Sequence, residues 1–243
     1  MRVFLPRRPI LDGRFLFQAD RAGEADGGEL TALLGIVADL GARGGFTPGG
    51  AAPRFIVRHI DAGEEKFRAD LELAAIDGRF MECFRSCLTV AGRGDAYRRL
   101  ELRAAAGDDL YELPVPDEVE GRPVYPGQRA PLQFVLTVDA TITSRMRRAV
   151  LTMERSQTAA DVATVEAGIK PWADALQHGA FVLPSIDPEM AANVFGGVQL
   201  FEADSIEIVV DRFDGSEEAF GILVNLLDRF ARDHAAIRRV DLY

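Results

Sequence analysis

With 243 residues, 48% of them hydrophobic and 27% charged, the chain can bury one large core or two small ones and is too apolar to stay unfolded. A net charge of −10 disfavours nucleic acid or an anionic membrane as the main partner, because phosphate contacts need a net basic face. No apolar run reaches the roughly 18 residues of a membrane span, and Met1 to Ile10 lacks the apolar stretch of a secretory signal, so a cytoplasmic location is expected.

In chain order, Arg14 to Ala19 alternates and is aromatic-rich, which predicts a strand, and a Gly/Asp-rich turn follows from Asp20 to Gly28. Glu29 to Arg43 sets Leu30, Leu33, Leu34, Val37 and Leu40 at helical spacing, with an acid at the start and an arginine at the end. Gly44 to Pro53 reads as a flexible surface connection and Arg54 to Ile60 as a second strand. From Phe67 to Arg103 the alternation predicts an antiparallel meander that turns at Asp77-Gly78 and again near Gly92 to Asp95. Phe80, Phe84, Leu88 and Val90 then fall on one strand face, with Met81, Phe84, Cys87 and Leu88 as the competing helical stripe.

Leu113 to Pro131 is punctuated by prolines, which remove ladder donors, and reads as a linker or long functional loop. It separates a half over residues 1–121 from one over 122–243, and the two can also form one continuous domain. Strands are expected over Leu132 to Thr143 and Val150 to Glu154, then a helix over Thr158 to His178 with a break near Lys170-Pro171, and a loop over Leu183 to Pro188. The end reads as strand Ser205 to Phe213, turn Asp214-Gly215-Ser216, helix Glu217 to His234 and strand Ile237 to Tyr243. Phe220, Leu223, Val224, Leu227 and Phe230 form a continuous apolar stripe on that helix.

The expected class is α+β: mainly antiparallel sheet, about three helices packed on one face, and two related halves each containing a β-α-β unit. The duplication signal is a match of Glu, Leu, Asp, Ala and Arg between Glu29 to Arg43 and Glu218 to Arg232, a pattern amphipathic helices also share by chance.

The strict motifs of phosphate loops, dinucleotide folds, zinc proteases and serine hydrolases are absent, and no motif identifies a cofactor. The glycine-rich stretch over residues 44–50 lacks a lysine and leads into a strand, so it offers no helix N-terminus to an anion. The densest polar group is His59, Asp61, Glu64 and Glu65. In a strand His59 and Asp61 point to one side and could act as an acid/base pair, while Asp61, Glu64 and Glu65 could hold a divalent metal. The bland reading of the same group is a solvated turn before Lys66.

Arg145, Arg147, Arg148 and Arg155 form a basic cluster able to fork onto an oxyanion or an acidic partner, or else to charge an edge strand against aggregation. Cys83 and Cys87 read as buried thiols, since strand spacing would hold them about 13 Å apart. His178 and His234 read as helix C-terminal residues and Trp172 as a buried anchor. Taken together, the residues suggest a non-catalytic binding or regulatory protein whose partner is another protein or a second copy of the chain. The rivals are a carboxylate or metal hydrolase or lyase at His59 and Asp61, and a small-molecule binder between the two halves. A pocket around His59 and Asp61 would favour the enzyme. A flat apolar patch near Phe195 to Phe201 would favour the binder.

Overall fold

A computed structural model describes residues 1–22, 27–47, 51–91, 96–105, 107, 109–113, 131–139, 144–183, 185–187, 191, 193–234 and 237–243. The N-terminal half supplies β1 (Arg2–Pro6), β2 (Leu11–Arg21), α1 (Gly27–Ala42), β3 (Arg54–Ala62), β4 (Lys66–Ile76), α2 (Arg79–Val90), β5 (Tyr97–Ala104) and β6 (Leu110–Glu112). The C-terminal half supplies β7 (Val135–Val138), β8 (Arg147–Met153), α3 (Ala159–Gln177), β9 (Val194–Glu202), β10 (Ser205–Arg212), α4 (Glu218–Asp233) and β11 (Ile237–Leu242). The fold is α+β, with four helices among the described residues where about three were expected.

The strands form two sheets, ordered β3-β4-β2-β5-β1-β6 and β7-β11-β8-β10-β9. Pairing is antiparallel except between β1 and β5 and between β7 and β11. Within each sheet lies the same split β-α-β arrangement. β2-α1-β3-β4-α2-β5 and β8-α3-β9-β10-α4-β11 have the same order along the chain, and in both sheets the first and third strands are central. β1 and β6 extend the first unit past its last strand, and β7 extends the second in the same way. This correspondence equates α1 with α3 and α2 with α4, whereas the sequence match paired α1 with α4.

The predicted meander over Phe67 to Arg103 is corrected by α2, which occupies Arg79–Val90. Phe80, Phe84 and Leu88 recur every fourth residue, a spacing that fits a strand face and a helix stripe equally. The surroundings decide. Asp77 accepts the Arg79 backbone N–H at 3.0 Å and holds the Arg79 guanidinium at 2.6–3.0 Å, so Asp77-Gly78 starts a helix and does not turn a hairpin. The second predicted turn, Gly92 to Asp95, lies outside the described residues, as do 114–130 of the proline-rich stretch.

Two further expectations change. β8 pairs with both β11 and β10, so the strand carrying Arg147 and Arg148 is interior and not an edge. The connection after α1 is partly core: Phe46 is fully buried, Thr47 is buried, and Gly45 approaches Ile222 so closely that a Cβ would meet it at 3.0 Å. Pro171 sits inside an unbroken α3, whose start is fixed by a capping box between Thr158 and Asp161. Hydrogen bonds from Arg155 and Thr158 hold the Asp161 carboxyl well below the usual range.

The helical layers of the two halves face each other. Asn225 on α4 donates to the Gly45 carbonyl at 2.9 Å, and Ser86 on α2 accepts the Phe181 N–H at 2.7 Å. One hydrophobic cluster runs through both halves, from Val3 and Phe17 to Trp172, Leu227 and Val240. α2 is buried over its whole apolar and polar circumference from Arg79 to Leu88. The two sheets therefore present their remaining faces outward, and candidate sites lie on those faces and at the strand ends.

Candidate functional site

On β4, Phe67, Ala69, Leu71 and Leu73 point into the core, so Lys66, Arg68, Asp70 and Glu72 face outward. Cross-strand register arranges their neighbours in rows. Lys66 lies opposite Asp20, Asp20 opposite Arg99, and Arg99 opposite Arg2. In the next row Arg68 lies opposite Asp61 and Gln18, and Gln18 opposite Glu101. His59 lies opposite Asp70 one row further on. The outer face is thus a lattice of ion pairs. Arg58 and Arg54 both bond Glu72 and hold its carboxyl below the usual range, and Arg99 and Arg103 both bond the buried Glu101.

His59 and Asp61 do share one side of β3, but β3 is an edge strand and both side chains are exposed on its open face. Glu64 and Glu65 lie in the turn into β4 and line a separate cavity, so the polar group does not close around one centre. Among the described residues no three His, Cys, Asp or Glu side chains are placed to hold a metal ion. The His178 ring Nδ1 meets the Asp174 carbonyl at the end of α3, at 2.8 Å, and the His234 ring packs on Phe230. Cys83 and Cys87 are fully buried free thiols, and burial pushes the Cys83 thiol far above its ordinary range.

The arginines of the basic cluster are engaged with carboxylates. Arg145 reaches the buried Asp214 at 3.3 Å, which Arg212 also holds at 2.8 Å. Arg147 pairs with Glu217 at 3.3 Å, and Arg148 pairs with Glu207 at 2.9 Å. Glu207 is 1% exposed and also accepts from Gln199, so this row stitches β8, β10 and β9 together.

Two cavities accompany these features. The larger, about 570 Å³, opens at one end of the first sheet and is lined by Arg2, Phe4, Arg21 and Arg99, with Glu64, Glu65 and Lys66 from the β3–β4 turn. The smaller, about 300 Å³, lies between the β1–β2 connection and Tyr111, whose phenol is raised by burial. Neither was legible in the sequence, because each gathers residues from strand ends far apart in the chain.

The outer edge of the second sheet has a different character. Among the described residues β9 pairs only with β10, and Val194, Leu200 and Phe201 on it are 44%, 47% and 49% exposed. Phe195 instead turns inward onto Trp172, with ring centroids 6.3 Å apart. The β9–β10 register is regular from Gly197 to Leu200 and shifts at both ends, with Phe201 the extra residue at one shift. Such a bulge re-aims a side chain away from the sheet. The expected patch near Phe195 to Phe201 therefore coincides with an open strand edge.

No family model matches the chain, and no curated protein matches it in sequence. Among solved structures, a putative monooxygenase from Lactobacillus acidophilus is 10% identical, with 95% of this chain and 92% of that one covered, at a TM-score of 0.24.

Proposed function

We propose that this chain is a non-catalytic binding module that takes up an extended segment of a partner protein along β9. The observation that carries this reading is the combination of a strand edge unpaired among the described residues with Leu200 and Phe201 exposed side by side. Strand addition uses main-chain hydrogen bonds for affinity, and β9 offers a regular run for them over Gly197 to Leu200 beside the exposed Leu200 and Phe201 side chains. Glu202 and Asp211 flank that run on a chain of net charge −10, so the partner segment carries alternate apolar residues interspersed with Lys or Arg. The placement of His59 and Asp61 on an open strand face supports binding over catalysis, since nothing there excludes water from an acid/base pair.

The test is selection from a random peptide library on the wild-type chain, with counter-selection on a Leu200→Asp/Phe201→Asp variant. Enriched peptides should alternate apolar and basic residues, and their binding should slow amide exchange at Gly197 to Leu200. Enrichment that survives the double substitution, or protection mapped away from β9, would reject the reading.

A further inference from the structure

Resting on strand addition at β9, we infer that Asp211 selects a Lys or Arg in the added segment, three positions from the segment residue that meets Leu200. β10 turns Ile206, Ile208 and Val210 into the core, so Glu207, Val209 and Asp211 face outward. The β9–β10 register shifts between Val209 and Val210, whose partners are Gly197 and Phe195, and this leaves Gly196 as an extra residue. The Asp211 carboxylate occupies the space over that glycine. A Cβ on Gly196 would lie 2.8–3.0 Å from both carboxylate oxygens and the carbon between them. Gly197, at φ 115°, has open space at its own Cβ position. An acid rooted in β10 thus stands over β9, at the open edge, where a β9 side chain would stand.

Elsewhere on this sheet carboxylates are held by arginines: Glu207 by Arg148, Asp241 by Arg239, and Asp204, in the β9–β10 turn, by Arg238. Asp211 makes no hydrogen bond or ion pair among the described residues and is exposed. Its charge is therefore available to a strand laid along β9, with two bare glycines between them.

Distance and register decide which side chain it takes. Opposed Cβ atoms on neighbouring strands are about 4.5–5.5 Å apart. The nearer Asp211 oxygen is 2.8 Å from the Gly196 Cβ position, so the acid lies at most about 8 Å from the Cβ of an added residue facing the glycines. An extended Lys or Arg covers that span. Leu200 is the partner of the core-facing Ile206 and so lies on the other face of β9 from Asp211. The basic residue is then an odd number of positions from the residue meeting Leu200, and the regular run Gly197 to Leu200 sets that number at three.

Synthetic Thr-rich peptides of about ten residues test this on the full chain, each with one Leu and with Lys, Gln or Glu scanned over the other positions. Lys should bind about two- to fivefold more tightly than Gln at the third position to one side of Leu and at no other, the size of an exposed cross-strand ion pair. Asp211 is exposed, so its substitution leaves the core intact. Asp211→Asn should abolish the Lys preference and Asp211→Lys should reverse it in favour of Glu, while Glu202→Gln leaves it in place. A preference that survives Asp211→Asn, falls with Glu202→Gln or spreads over all positions would overturn the assignment, even where the peptides slow amide exchange at Gly197 to Leu200. Peptides that protect none of those amides would instead reject strand addition at β9, and the role of Asp211 with it.

Discussion

Ser86 illustrates how much one hydroxyl can be asked to do. Its Oγ donates to the Glu82 carbonyl one turn back on α2, at 2.9 Å, and accepts the N–H of Phe181 from the other half at 2.7 Å. Phe181 stands at φ 63°, a left-handed conformation that a bulky side chain adopts only where its surroundings enforce it. Ser86→Ala would leave a buried N–H without an acceptor beside this strained residue. The expected loss is about 1–3 kcal/mol of stability by urea denaturation. A loss indistinguishable from zero would show that water replaces the hydroxyl.

At the scale of elements, periodicity was readable where an apolar stripe is set against a row of small or polar residues, as Gly221, Asn225 and Arg229 are on α4. α4 is the clearest case: Phe220, Leu223, Val224, Leu227 and Phe230 form the expected stripe and are all buried. Leu227, fully buried, should cost about 2–5 kcal/mol when cut to alanine. A change below about half a kcal/mol in the denaturation midpoint energy would mean that the core there can collapse around the gap.

α2 was not legible for the opposite reason. It is buried all round, so Glu82, Arg85 and Ser86 lie inside and the polar residues mark no solvent face. β9 escaped because its bulges and the pair Gly196-Gly197 break alternation, and β1 because Pro6 ends so short a strand and Pro9 follows it. Of the candidate sites, the apolar patch near Phe201 could be read from local composition. The cavity could not, since Arg2, Asp20, Lys66 and Arg99 become neighbours only through strand register.

For the whole molecule, the sharing of one core matters more than the repetition of topology. The helices of each half complete the burial of the other through the Gly45–Asn225 and Ser86–Phe181 contacts. Neither half would keep its helices dry alone, so the chain should unfold in one calorimetric transition with matching calorimetric and van't Hoff enthalpies. Two resolved transitions would assign each sheet an independently stable domain.

The strand order also dictates a schedule. β11 lies between β7 and β8, so the second sheet stays split until the ribosome has passed residue 242. Before that point β8 has a bare edge and β7 has no neighbour, while α3 already has β9, α4 and the finished N-terminal half to lean on. The first sheet, complete by residue 112, is then the template on which the second half is assembled, with α1 receiving α3 and Ser86 of α2 receiving Phe181.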